Sequence, residues 1–403
     1  MAVKEATNVS AETLRAVIEP LATLKRGAGS PGEARAARIL AEMLTEAGAP
    51  AQIDEEQFLD GYAKVLMPLG AIGLAAGVLA SRGRLRGLAA AAAAVAIAAM
   101  IDDVENGTRL WRRLTQKPRR TQNVVGECGD VSAERTLVIL AHHDAAPTGI
   151  AFDQGFQRWL AAKFPEIVAR TDTALPIWWP VASGPALVLA GAVSGRRKLA
   201  RLGAALSAIS IGLGADIARD RIVPGANDNL SACAVLVAVA GRLREEPVDG
   251  LRVLLVSCGA EEVLQGGIYG FVERRLKQFD PSRTWVLNLD TVGSPELMMA
   301  EGEGPFWMHH YCDPSFRDRV ATVAERATGA PLRRGPEARA STDTIIPSRA
   351  GYPCALLCSW EPDTKLLSNY HLPTDIPENL RYDTIARAAV ISEALARDLA
   401  SSS

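Results

Sequence analysis

Histidine is scarce in this chain, with 5 in 403 residues, and several familiar signatures are missing altogether. The 6 cysteines include no CxxC pair and no spacing of a disulfide scaffold, so no covalent framework holds the fold. Cys258 and Cys354 lie in apolar strand-like runs and Cys233 on a helical one, the pattern of core thiols, which favours a reducing compartment. Neither charge sign dominates: Lys+Arg is 44 against Asp+Glu 46, the formal net charge is -2, and no long basic run occurs. A nucleic-acid partner is therefore not expected, and acidic substrates are not implied. The opening MAVKEATNVSAETLRAVIEPL lacks the apolar h-region of a signal peptide, so the expectation is a cytoplasmic or membrane-associated protein. Four apolar runs occur, yet each is shorter than the roughly 20 residues that span a bilayer.

What is present reads as one large α/β unit. At 48% apolar residues the chain has the composition of a folded protein, and its length permits a single domain with insertions. The spacing predicts a first helix over 10–24 and a second opening at Pro31 and Glu33, then a strand over 51–58. NVVGECG and RTLVILAHHD read as two strands joined by a turn, and PGANDNLSACAVLVAVAGRL as a loop entering a helix. LRVLLVSCGAEE, TWVLNLDTVG and PCALLCSW read as further strands, and 382–399 as a last helix. Near-continuous apolar strands alternating with helices predict a mixed, mostly parallel sheet covered on both faces. Strand ends carry His142, Glu261 and Asp290, where side chains converge in such sheets.

Two insertions interrupt the plan. Segment 62–118 holds apolar runs over 65–80 and 87–101 separated by SRGRLR, and segment 174–220 holds runs over 181–193 and 202–215 around SGRRKLAR. At about 13–16 residues each, they read as two helical hairpins, either buried or in contact with a membrane. Both tips are basic, whereas Asp102, Asp103, Asp216 and Asp220 lie near the bases. If the hairpins span, the positive-inside rule places the tips in the cytoplasm and the rest of the chain outside.

Five polar residues stand out as metal-ligand candidates: His142, Asp228, Glu262, Asp290 and His371. Two imidazoles and three carboxylates are the donor set expected of a pair of zinc ions, though cobalt or manganese also suits mixed N/O donors. Asp144, two residues beyond His142 on an extended chain, lies on the same side and could hold the imidazole's other nitrogen. His143 points the opposite way. The bland readings are a surface histidine for His142 or His371, a helix-capping aspartate for Asp228 with Asn229 as the rival cap, and a solvated strand end for Glu261 and Glu262. An unpaired buried acid at Asp290 would be expensive, and a metal would remove that cost. His309 and His310 fit a structural or pocket-wall role better than ligation. Trp178, Trp179, Trp307 and Trp360 are pocket or packing residues.

With these segments assembled, the chain resembles the M28 family of zinc aminopeptidases, over the N-terminal helix and from about Thr121 to the C-terminus, the two apolar hairpins excepted. The resemblance implies a zinc-exopeptidase-like fold and two zinc ions per chain. It makes His142 and Asp290 ligands to one ion, Glu262 and His371 ligands to the other, and Asp228 the bridge. It makes Glu261 the general base and Asp144 the residue that orients His142. The ASTD stretch with Asp343 looks like the family's late substrate-side loop, with Thr344 where histidine is frequent. Hydrolysis of a peptide or small amide follows, most directly release of N-terminal residues. Carboxypeptidase or other di-zinc amidohydrolase action, glutaminyl cyclisation in one branch, and a catalytically silent membrane-associated scaffold are the alternatives. Oligomeric state is not legible.

Overall fold

The computed structural model describes residues 9–173 and 179–401. Helices α1 (Ala11–Ala22) and α2 (Pro31–Glu46) come first, each begun by a serine whose hydroxyl accepts a backbone N–H of the first turn. Strand β1 (Ala51–Leu59) leads into α3 (Ala63–Ser81), α4 (Arg86–Val104) and α5 (Leu110–Thr115). Strands β2 (Pro118–Gly129) and β3 (Thr136–His142) follow, then α6 (Gly155–Lys163), α7 (Pro165–Ala169), α8 (Trp179–Ser194), α9 (Arg197–Ile217) and α10 (Ser231–Glu245). The remainder runs β4 (Arg252–Cys258), α11 (Gly266–Arg274), β5 (Thr284–Leu289), β6 (Glu296–Ala300), β7 (Gly302–Glu303), β8 (His309–His310), α12 (Pro314–Thr328), β9 (Glu337–Ala338), α13 (Ile345–Arg349), β10 (Cys354–Trp360) and α14 (Tyr382–Ser401).

Seven strands form the main sheet in the order β1-β2-β4-β3-β5-β10-β6. The expectation of a mostly parallel sheet needs correction. Pairing is parallel only among the central strands β4, β3, β5 and β10, while β1 on β2, β2 on β4, and β6 on β10 are antiparallel. Parallel strands need a crossover, which α10 supplies between β3 and β4 and α11 between β4 and β5. Helices also lie between the antiparallel neighbours β1 and β2, so strand direction there is a choice of tertiary packing. β2 and β3, consecutive in sequence, do not pair, because β4 lies between them.

Both faces of the sheet are apolar, which explains the unbroken hydrophobic runs. On β3, Leu137, Ile139 and Ala141 enter the larger core with α1, α2, α10, α12 and α14. Val138 and Leu140 face the other core, against Ile268, Phe271 and Val272 of α11. The register pairs His142 with Cys258 and Leu140 with Asn288, so β3, β4 and β5 end level with one another. That alignment brings the loops after three strands to one place.

The apolar segments differ from two separate hairpins. α3 packs on both α4 and α9, and α8 packs on α9, α4 and α3, so all four make one helical bundle. The helices also outrun their apolar cores, at 19, 19, 16 and 21 residues for α3, α4, α8 and α9. Polar residues at each end stay helical, which apolar-run length alone does not reveal. Trp178 lies outside the described residues.

One buried cation ties the sheet's end to the N-terminal helices. Arg26 donates to the carbonyls of Leu21, His143, Pro224 and Gly225 at 2.8–3.1 Å. Burial lowers its guanidinium to about 10, which leaves it charged at neutral pH. Gly225 accepts this approach because its φ is +60° and a Cβ there would stand 2.7 Å from Arg26 Nη2. Arg26→Met strands four acceptors, three of them buried, and is expected to lower stability by roughly 3–5 kcal/mol, read as the shift in denaturant midpoint of the metal-free protein.

Candidate metal centre and cleft

His142 is the last residue of β3, and burial at 2% exposure makes the bland surface reading untenable. Its Nε2 lies 3.2 Å from Asp228 Oδ1 and 3.9 Å from Glu261 Oε2, and its Nδ1 lies 3.4 Å from Asp144 Oδ1. His371, on the loop after β10, places Nε2 at 3.4 Å from Asp228 Oδ2 and 3.2 Å from Glu262 Oε2. Asp228 thus lies between the two imidazoles, one oxygen toward each. Asp290 directly follows β5 and shares a cleft of about 170 Å³ with Asp228, Glu261 and Glu262. His143 turns to the opposite side, its Nδ1 3.0 Å from Ser257 Oγ. His309 and His310 form β8, away from this cleft, with His309 Nε2 3.3 Å from Ser348 Oγ.

The loops that carry the acids are pinned by other acids. Asp144 accepts from the backbone N–H groups of Glu261 and Glu262, each at 3.0 Å, so its grip falls on the Glu261–Glu262 loop as well as beside His142. Glu33 accepts from Ala260 N and Thr121 Oγ1 at 2.8 Å, and from Gly29 N at 2.8 Å. Asp375 accepts from Asn227 N at 2.7 Å and Asp228 N at 3.1 Å. Asn229 does not cap α10. Its amide donates to Leu289 O and its oxygen accepts from Thr291 N, which fixes the chain on both sides of Asp290. Positive φ at Ala260, Thr291 and His371, none of them glycine, gathers local backbone strain around the same point.

Glu261 has its own chain of partners. Gln265 Nε2 donates to Glu261 Oε1 at 2.8 Å and to Ser341 O at 2.8 Å, and Asn106 Nδ2 donates to Gln265 Oε1 at 2.9 Å. Asn106 follows the end of α4, so the helical bundle reaches the site through two amides. Sequence reading missed Asn106, Gln265, Glu33 and Asp375 in these roles. Asp375, four residues after His371 in the same loop, could have been singled out as a buried-loop acid; the amides carry no sequence signal.

Crowded negative charge governs the electrostatics. Burial and neighbouring carboxylates push Glu261 well above the usual carboxylate range, raise Glu262, and lift Asp290 to about 7. Burial works to raise Asp228 too, but the two imidazoles hold it below its ordinary value. Burial disfavours charge on His371, yet Glu262 and Asp228 raise it to about 10, and His142 is raised as well. These groups need compensating positive charge. His371 Nε2 and Glu262 Oε1 are buried without a hydrogen-bond partner. One nitrogen or oxygen from each of His142, Asp228 and Glu262 falls within 4.8 Å of the others. Unsatisfied N/O donors converging on one point fit a divalent cation of the zinc class.

The cleft continues from the carboxylates toward Met298, Ala300, Leu356 and Trp360. Trp360 is a wall residue, as one of the two sequence readings held. Trp179 and Trp307 are instead half exposed or more, at 50% and 60%. Asp343 is buried, burial raises it to about 8, and neither oxygen finds a hydrogen-bond partner. Its loop is held by Glu303, which accepts from Thr342 N and Thr342 Oγ1, both at 2.9 Å.

Fold and donor set together define a metal-dependent α/β enzyme. Residues 210–396 match the Peptidase family M28 profile, and the chain carries a domain of that family. The matched segment includes Asp228, Glu261, Glu262, Asp290 and His371, while His142 and Asp144 precede it and join it through the sheet. No protein of curated function matches the whole sequence significantly. Among solved structures, the chain is similar to an aminopeptidase from Aneurinibacillus sp. strain AM-1, with TM-score 0.56, 14% identity, and coverage of 97% of this chain and 94% of that one. It is equally similar to the glutaminyl cyclase of Bacteroides thetaiotaomicron, with TM-score 0.56, 12% identity, and coverage of 97% and 98%. A Zn-dependent exopeptidase from Parabacteroides distasonis follows, with TM-score 0.55, 13% identity, and coverage of 97% and 99%. At such identities the likeness establishes a shared fold.

Two outcomes test this geometry. Asp375→Asn replaces one of two acceptors facing Asn227 and Asp228 with a donor and is expected to weaken zinc binding about 10–100-fold by chelator competition, with an unchanged far-UV spectrum. Burial raises Glu303 to about 8. Because that lies above the unfolded value of about 4.3, its contribution is full at acid pH and is lost as pH rises toward 8. Glu303→Gln is expected to flatten this part of the decline in melting temperature of the metal-free protein.

Proposed function

We propose that the chain is a two-zinc hydrolase that releases N-terminal residues from peptides. The observation that carries this reading is the placement of Asp228 between His142 and His371, with the Glu261 carboxylate 3.9 Å from His142 Nε2. His142 and Asp290 would hold one ion, Glu262 and His371 the other, with Asp228 shared. The chemistry two zinc ions supply in such a site is an acidified water and a polarised carbonyl. Glu261 would be the group to take a proton from such a water and pass it to the leaving amine, and burial raises its basicity. Gln265 restricts the carboxylate to one orientation. Asp144 fixes the Glu261–Glu262 backbone and stands beside the His142 ring. The apolar end of the cleft, at Met298, Leu356 and Trp360, suits an apolar side chain on the residue released. We read 1–403 as a single peptidase domain in which 62–118 and 174–220 contribute the helical bundle.

A second reading is supported by the similarity to a glutaminyl cyclase. The full set of five ligands favours hydrolysis over cyclisation at one zinc. A panel of aminoacyl amides, N-blocked peptides and peptides beginning with glutamine separates the two, with zinc content measured alongside. Cleavage confined to free-amine substrates, about two zinc ions per chain, and a loss of about 10²–10⁴-fold in kcat for Glu261→Gln at unchanged zinc content are expected. Ammonia release with pyroglutamate formation and one zinc per chain would instead establish a cyclase, and no turnover with zinc bound would leave a metal-stabilised scaffold.

A further inference from the structure

The bundle of α3, α4, α8 and α9 is built the opposite way round from a helical bundle in water. Its small residues are inside. A Cβ on Gly77 would lie 2.7 Å from Ala204 Cβ and 2.8 Å from Val188 Cγ2, and one on Gly73 would lie 2.9 Å from both Pro185 Cγ and Ser207 Oγ. Ala76, Ala93 and Ala200 are buried at the same contacts. Many of its large residues are outside: Leu88, Val95, Val193, Leu202 and Ile209 are 50–70% exposed, while Leu69, Met100 and Val188 are buried. A bundle in water buries its large apolar side chains. In lipid the tails are as apolar as leucine, so helices associate by close approach at glycine and alanine and turn large side chains outward.

Length and charge agree with lipid as the occupant. α3, α4 and α9 have 19, 19 and 21 residues and are long and apolar enough to cross a membrane. At 1.5 Å per residue they extend about 28–32 Å, against a hydrocarbon core of about 30 Å. α8, shorter at 16 residues, is also apolar and packs among them. No ionisable residue lies between Lys64 and Arg82, Arg86 and Asp102, or Arg201 and Asp216, and α8 has none at all. The tips carry Arg82, Arg84, Arg86, Arg196, Arg197 and Lys198 with no acid among them. At the other end Asp102, Asp103 and Asp216 are mixed with basic residues, Arg112 paired to Asp103 and Arg219 and Arg221 to Asp216.

A rim of exposed apolar residues surrounds that second end. Leu114 on α5 is 74% exposed, and its neighbour Trp111 donates to Val65 O in the first turns of α3. Trp307 donates its backbone N–H to Glu105 at the end of α4. Ile150 donates to Asp216 near the end of α9, and the chain continues into α6 and α7, where Phe156 and Trp159 stack in solvent and Ile167 is 62% exposed. Tryptophan is enriched at the boundary of a membrane's apolar band, and tryptophan, phenylalanine and leucine form the apolar face of elements that lie in the interface.

We propose that α3, α4, α8 and α9 span a lipid bilayer, with the arginine-rich tips on the cytoplasmic side and the catalytic cleft at headgroup level on the other. Phe152 and Tyr370, which flank His371, share an apolar cluster with Ala63, Met67 and Ile217 at the bundle's base. The cleft therefore opens beside the membrane surface. On the peptidase reading above, its substrates are peptide ends presented close to the bilayer.

The test uses the full chain and requires no turnover, so it is independent of the peptidase reading. Membranes from expressing cells are washed with carbonate, and detergent-purified protein is mixed with phosphatidylcholine–phosphatidylglycerol vesicles and floated. In a Cys312→Ser background, Arg84→Cys at a tip and Glu42→Cys on α2 are then labelled with an impermeant maleimide in inside-out and right-side-out vesicles. Retention after carbonate, flotation, and labelling of the two positions from opposite faces are expected. Release by carbonate, a detergent-free soluble oligomer, or labelling of both positions from the same face would each overturn the proposal.

Discussion

Too many carboxylates occupy too little space at the C-terminal edge of the sheet, and much of the surrounding structure answers that constraint. Asp144, Asp228, Glu261 and Glu262 are each at most 8% exposed, and Asp290 faces the same cleft. Each would repel the next if ionised in a medium that screens poorly. The chain meets this partly with imidazoles beside Asp228 and partly with backbone N–H groups aimed at Asp144, Glu33 and Asp375. The remaining demand is for a cation. An apolar replacement of these acids would relieve the repulsion and abolish the reason for the loops' shape.

Sheet topology makes the crowding achievable. Three parallel strands that end level deliver His142, the Glu261–Glu262 loop and Asp290 to one edge, and the crossover from β3 to β4 contributes Asp228. The antiparallel strands support that edge without supplying a carboxylate or imidazole to it: β2 braces the Glu261 loop through Thr121 and Asn123, and β6 lines the cleft with Met298 and Ala300. Rigid strands beneath strained loops hold groups that would otherwise move apart. The bundle enters the same economy through Asn106 and Gln265, whose amides join the end of α4 to the Glu261 carboxylate.

Strands β3, β4, β5 and β10 could be read in advance because burial on both faces leaves an unbroken apolar run, and polar segments such as HHD, EE and LD beyond them mark a break in that pattern. The short strands β6 to β9 carry no such run and were not read. Helix lengths in the bundle could not, since alanine-rich helices continue through flanking lysine, arginine and aspartate without a compositional signal. The sheet's antiparallel edges were equally hidden. A strand such as β2 has the same alternation whichever way its neighbour runs, and its separation from β3 by β4 is a long-range choice.

By itself, the sequence determined which residues carry unusual cost: two histidines and a set of acids following apolar strands, where a bare charge is hard to tolerate. It also determined which segments are apolar, because that is a property of composition. Tertiary structure alone decided which acids face one another, that Asp144 spends its oxygens on the Glu261–Glu262 backbone, and that Glu33 and Asp375 brace the loops from far along the chain. It alone turned two apolar hairpins into one bundle with glycines at the helix contacts and Leu88 and Leu202 outside. Composition is local to each residue, whereas direction, register and the face a side chain presents are fixed only when distant segments pack.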